Sequence, residues 1–345
     1  MDAPIAHSAE AEIAALHASL PTLDTHVDIP WPDMPDPHGE TPRQVDFPKM
    51  KAGGLKGVVF IAYTPQGPRT PEGHAAAGER AEAMLRAIRA TADTEHRLVT
   101  TPDELAAAQA DGAFSVLLGV ENGNAMGHDL SRLKLWRDLG ACYVTVTHDG
   151  HNDLSDAARP RPELGDGPAL HGGLSELGRQ AVREMNRVGL MVDMSHIARS
   201  SFFQAAEISR APVLATHTCC AALRAHPRNL DEEQLDMLKQ VGGIAQITAV
   251  PAFLRAPDAD GRFRASVADM ADHVDHAVRR IGIEHVGLSS DFDGGGGVQG
   301  WRHAGETPGL TAELARRGYD RQALELLWSG NFLRVWHAAL AVAGM

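Results

Sequence analysis

Cysteine is scarce in this chain, and neither a targeting signal nor a membrane span is expected in it. Its 345 residues contain only Cys142, Cys219 and Cys220. Three cysteines cannot make a disulfide framework, and the adjacent pair lacks CxxC spacing. All three are expected to be reduced thiols in a cytoplasmic protein. The N-terminus has no basic start followed by an apolar core, so no signal peptide is expected. No apolar run approaches the length of a membrane span. Basic clusters are absent and the net charge is −13, which argues against nucleic acid as a partner. No internal repeat and no Pro- or Ser-rich linker divides the chain, so one domain over residues 1–345 is expected. The apolar fraction of 43% and charged fraction of 22% belong to an ordinary globular protein. What the chain has in excess is histidine, with 18 residues.

Two of those histidines organise the reading. Residues 190–193 and 213–215 are short apolar runs, followed within three residues by His196 and His217. Brief aliphatic runs between polar punctuation read as buried parallel strands. Six more are expected at 22–28, within 49–62, and at 113–119, 141–147, 243–248 and 285–288. Helical segments fall between them, at 71–94, 101–110, 128–140, 173–188, 200–208, 231–240 and 266–282. A further helix, 9–20, precedes the first strand, and closing helices follow at 310–336. Thr101, Pro102 and Glu104 form a capping signature. Eight strands alternating with helices predict a (β/α)8 TIM barrel of the α/β class. A doubly wound sheet is the alternative, but the turn after the first strand, TLDTHVDIP, carries no Gly-rich phosphate motif. The GGGG run at 294–297 also lacks a GxxxxGK[ST] frame.

In a barrel, residues at the C-terminal strand ends converge on one mouth. His26 and Asp28 lie two apart on an extended segment, where side chains share a face. Glu121 follows the third strand, His148 the fourth and Asp291 the eighth. Taken singly, each also reads as a turn or solvated loop residue. His151 and Asp153 are assigned to a loop, and His273 and His276 to a helix surface. Together, three histidines with Asp28 and Glu121 suit zinc rather than Ca²⁺ or Mg²⁺. They are too many ligands for one open tetrahedral site and fit two ions with a water between them. Asp291 would then handle protons, and His148 would donate to a developing oxyanion.

The segments LDTHVD, LLGVENG, YVTVTH, HGGLSELGRQAVREMNRVGLMVDMSH, ATHTCCAALRAHPRNL and GLSSDFDG carry a resemblance across nearly the whole chain. The sequence resembles the membrane (renal) dipeptidases, dinuclear zinc metallopeptidases on an amidohydrolase-type barrel. The resemblance implies hydrolysis of dipeptides. It implies two zinc ions, one held by His26 and Asp28, one by His196 and His217, and both bridged by Glu121. It implies Asp291 as acid/base, His148 at the reacting carbonyl and Arg228 on the substrate's terminal carboxylate, a contact suited to a forked guanidinium. The family's HND reads HVD here, so Val27 is expected to remove a polar group beside the first ion. Mammalian members are secreted, disulfide-linked and lipid-anchored; this chain resembles a soluble bacterial type. A homodimer is allowed. Another amidohydrolase, acting on a cyclic amide or N-acyl amino acid, is the alternative activity, and an inactive metal-binding scaffold is the non-enzymatic one.

Overall fold

The computed structural model describes residues 3–345, with side chains from residue 11 onward. Nine strands form one parallel sheet: β1 Leu23–Asp28, β2 Gly57–Tyr63, β3 His96–Leu98, β4 Phe114–Glu121, β5 Ala141–Thr145, β6 Met191–Asp193, β7 Leu214–Thr218, β8 Ile244–Thr248 and β9 Val286–Ser289. Eight of them run in the order β1-β2-β4-β5-β6-β7-β8-β9. The ends of that path meet, where Val27 bridges Phe292 and the Asp28 amide donates to the Phe292 carbonyl at 2.9 Å. This is the expected barrel. The sequence did not reveal β3, a three-residue strand beside the start of β4 and off the barrel path. HRL has no apolar run to announce it.

Two apolar layers hold the barrel. The larger lies between strands and helices and includes Val58, Phe60, Val116 and Leu118 with Met84, Leu85 and Trp136. The smaller fills the barrel's lower interior. There Leu23, Val59, Leu117, Met191 and Leu214 meet Phe332, Val335 and Trp336 of the last helix, Asn331–Val342. Strand residues alternate between these layers, as the period-two pleat requires.

The pairing register shifts at three places, once where Leu118 pairs with Ala141 but Gly119 with Tyr143, and twice in strands that serve the mouth. Asp24 pairs with Val58 but Val27 pairs with Phe60, so β1 carries one extra residue. Likewise Ala215 pairs with Ala245 and Thr218 with Ile247. A bulge re-aims the side chains that follow it. His26, Asp28 and His217 therefore point inward along strands whose lower residues, Leu23 and Leu214, also face inward. Val27 correspondingly joins the outer strand–helix layer. The expectation that it sits beside the ion is corrected: the pleat turns it away from the cavity.

Helix starts follow their caps. Thr101 and Glu104 form the expected capping box, Asp231 with Gln234 and Ser266 with Asp269 form two more, and Ser175 caps Glu176–Val188. The helix expected at 128–140 begins only at Ser131. Between the first two strands, Asp46 caps a short helix, Phe47–Gly53, that the sequence does not announce. His273 is buried, contrary to expectation. It lies on the inner face of helix Val267–Ile281, where Nδ1 accepts from the Cys220 amide at 3.0 Å and Nε2 lies 3.2 Å from the Leu254 carbonyl. His276 stays nearer the surface, 2.7 Å from Glu232. All three cysteines are buried and unpaired.

Candidate active site

The mouth opens on a cavity of about 430 Å³. Glu121, the last residue of β4, is 2% exposed at its floor. Its carboxylate lies 3.7 Å from His26 Nε2, 3.3 Å from His196 Nε2 and 3.4 Å from His217 Nε2. Three imidazoles from β1, the β6 end and β7 thus converge on one carboxylate from β4. Asp28 and Asp291 line the same cavity across Gly294. A Cβ on Gly294 would fall 2.3 Å from Asp28 Oδ2 and 2.5 Å from Asp291 Oδ1, so only glycine fits between them. His148 also faces in, its ring 3.9 Å from that of His196. The six residues expected at strand ends, with His148, are therefore brought together.

The Nδ1 atoms settle the tautomers. The Tyr143 hydroxyl donates to the Thr25 carbonyl at 2.8 Å and so accepts from His26 Nδ1 at 2.9 Å. The Thr216 hydroxyl donates to Asp193 at 2.7 Å and so accepts from His217 Nδ1 at 2.9 Å. Asp149 accepts from His196 Nδ1 at 3.1 Å. With each Nδ1 carrying its proton, each neutral ring presents a bare Nε2 lone pair to the cavity. His196 Nε2 and His217 Nε2 are only 2.9 Å apart. Two lone pairs at that distance repel unless a cation joins them. The residues present therefore fit a borderline divalent ion.

The charges agree. Burial, before any other cause, lowers the basicity of His196 and His217 well below normal, with nearby Arg228 adding to it. Burial also pushes the Glu121 carboxyl up to about 8 and Asp28 up to about 7, and raises Asp291 well above its usual range. Three crowded acids of that kind want a compensating cation. His196 and Asp291 adopt left-handed backbone, with φ of +66° and +59°. Strain of this sort is stored where function requires it. Hydrogen bonds hold both: Ala158 donates to the His196 carbonyl at 2.7 Å, and the Asp291 amide donates to the His26 carbonyl at 3.1 Å.

The profile of the family described as membrane dipeptidase, peptidase family M19, matches residues 10–344. The chain belongs to the membrane dipeptidase family. It is a metallodipeptidase. Dipeptidase aclJ of Aspergillus oryzae is 36% identical over 311 residues, covering 86% of this chain and 70% of that protein. Dipeptidase verJ of Clonostachys rogersoniana is 34% identical over 344 residues, covering 93% and 84%. The crystal structure of the probable dipeptidase PvdM from Pseudomonas aeruginosa superposes with a TM-score of 0.90 at 27% identity, covering 98% of this chain and 100% of that one. A metallopeptidase from Rhodobacter sphaeroides, liganded with a phosphinate mimic of L-Ala-D-Ala, gives a TM-score of 0.80 at 27% identity, covering 93% and 99%.

In this dipeptidase Arg228 reaches the cavity from the loop after β7. It is 3% exposed, its Nη2 donates to the His217 carbonyl at 3.3 Å, and its Nε has no partner. Its guanidinium carbon lies 5.3 Å from the centre of the Phe253 ring. A buried guanidinium with spare donors suits an incoming carboxylate. Val250, Phe253 and Phe263 form an apolar wall beside it. Among the described residues no lysine lines the cavity.

Sequence reasoning missed the residues that orient the histidines. Asp149 directly follows His148 at a strand end, which was the available signal. Tyr143, Asp193 and Thr216 look like ordinary strand residues and gave none. His151 is indeed structural: Nδ1 accepts from the Ala157 amide at 3.0 Å, and Nε2 lies 2.9 Å from the Gly167 carbonyl. No helix among the described residues is long and apolar enough to cross a membrane.

Proposed function

We propose that this barrel, acting as one domain, binds two zinc ions and hydrolyses dipeptides bearing a free C-terminal carboxylate, D-configured C-terminal residues included. The observation that carries the reading is the pair of bare Nε2 atoms of His196 and His217, 2.9 Å apart above Glu121. His26 and Asp28 would hold one ion and His196 and His217 the other, with Glu121 as the carboxylate shared between them. Two such ions supply a polarised carbonyl and a water of lowered pKa.

The chain's own groups do the rest. Arg228 fixes the substrate carboxylate and so sets which carbonyl lies over Glu121. Burial and Arg228 hold the His148 pKa down to about 3, so its imidazole is neutral and donates N–H to the developing oxyanion. Asp291, confined against Gly294, takes the water's proton and returns it to the leaving amine. The apolar wall at Val250, Phe253 and Phe263 receives a non-polar side chain. The L-Ala-D-Ala mimic bound by the Rhodobacter relative supports the D-residue assignment. Three buried, unpaired thiols support a cytoplasmic location.

The test is turnover of an L-Xaa-L-Xaa and L-Xaa-D-Xaa library by zinc-loaded protein. Both sets should contain substrates, with apolar residues favoured. No hydrolysis of any member, with two ions bound, would remove the reading.

A further inference from the structure

Asp153 has left the barrel mouth for a second cluster. His74 stands in the first turn of helix Pro71–Ala90, and His128 in the loop after the 3-10 turn Gly123–Met126. Asp153 Oδ2 lies 2.8 Å from His128 Nε2 and 3.3 Å from His74 Nε2. The ligand atoms of all three lie within 4.8 Å of one another. They come from three separate segments and line a surface hollow of about 490 Å³, distinct from the cavity over Glu121. His74 Nε2 is buried and has no hydrogen-bond partner. Gly127 makes the close approach possible: its φ is +58°, and a Cβ there would sit 2.8 Å from the His74 Cβ.

We propose that His74, His128 and Asp153 bind a further borderline divalent ion, zinc in the first instance, with its remaining position open to water. Tetrahedral ligands about 2.0–2.1 Å from zinc stand roughly 3.3 Å apart. The His74–Asp153 separation already has that value. The His128 contact needs to open by about 0.5 Å, which an exposed side chain can do; His128 is 69% exposed. Neighbouring cations do not claim Asp153, because Arg69 pairs with Asp166 at 3.6 Å and Arg132 with Glu82 at 3.5 Å. Burial lowers the basicity of His74, which favours the neutral ligand form. The same loop carries His148 and Asp149, so this ion staples the segment above the cavity to the helix start without touching substrate.

The test is equilibrium dialysis of the zinc-loaded enzyme against rising free zinc, with His128→Ala, His74→Ala and the double variant alongside. Wild type should bind one equivalent more than either variant, while kcat stays within about twofold. Cobalt titrated in place of zinc should add a visible absorption band in wild type that His128→Ala lacks. Equal equivalents in wild type and His128→Ala, or an extra equivalent that survives in the double variant, would overturn the assignment. Counting the difference keeps this test independent of how many ions the cavity holds.

Discussion

Replacing Asp149 tests the tautomer argument at its most exposed point. Its carboxylate, 3.1 Å from His196 Nδ1, accepts directly from a cavity imidazole, whereas Asp193 acts on His217 through Thr216. Without it the ring is free to turn and its Nε2 loses basicity. Carboxylates in this role are worth about 10–100-fold in metal affinity, roughly 1.4–2.8 kcal/mol. Asp149→Ala should weaken the ion proposed at His196 and His217 by that factor in competition with a chromophoric chelator. Asp149→Asn keeps an acceptor oxygen and should fall in between. Arg159 is the control. It pairs with the other Asp149 oxygen at 3.0 Å and is 51% exposed. Such a pair contributes about 0–1 kcal/mol, so Arg159→Ala should change affinity less than about fivefold. Unchanged binding in Asp149→Ala, or equal loss in Arg159→Ala, would refute the reasoning.

Asp291→Asn should lower kcat by at least about 100-fold with metal content intact; loss of an ion as well, read by elemental analysis, would reassign Asp291 as a ligand. Arg228→Ala should raise KM for a free-carboxylate dipeptide about 10- to 100-fold, and an unchanged KM would remove its role. In metal-stripped protein the folded-state pKa values of Glu121 and Asp28 are raised by burial to about 8 and about 7. The folded chain then binds more protons than the unfolded one, so stability falls as pH rises through those values. His196 and His217, shifted down, act below pH about 6.5, so the window is set above it. Tm of chelator-treated protein should fall between pH 6.5 and 8, and saturating zinc should flatten the slope; a rise without metal would contradict the charge accounting.

The strands were legible because each buried one is a short apolar run, and most candidate ligands were legible because they close such runs. Bulges were not. Nothing in LDTHVD or LATHT marks an extra residue, since hydrophobic alternation is read one strand at a time and a bulge is a property of a pair. The alternation alone placed His26 and Asp28 together but gave no account of Leu23 facing the same way, and it misjudged Val27. Asp149 escaped because THDGHNDLSD offers several acids, and only a packed β6 end shows which one reaches an imidazole. His273 sits at a helical spacing that suits surface or core equally; the decision rests on the Cys220 amide and the Leu254 carbonyl, both distant in sequence. Asp153 was rightly kept out of the barrel site, and the chain order gave no hint that His74 and His128 would meet it.

The central claim is that bare imidazole nitrogens and Glu121 bracket a pair of ions. Anomalous diffraction at the zinc edge from zinc-soaked crystals tests it directly. The account predicts two peaks about 3.5–4 Å apart, one on each oxygen of Glu121, with His196 and His217 on the same peak. A single peak, or peaks that leave Glu121 uncoordinated, would contradict it.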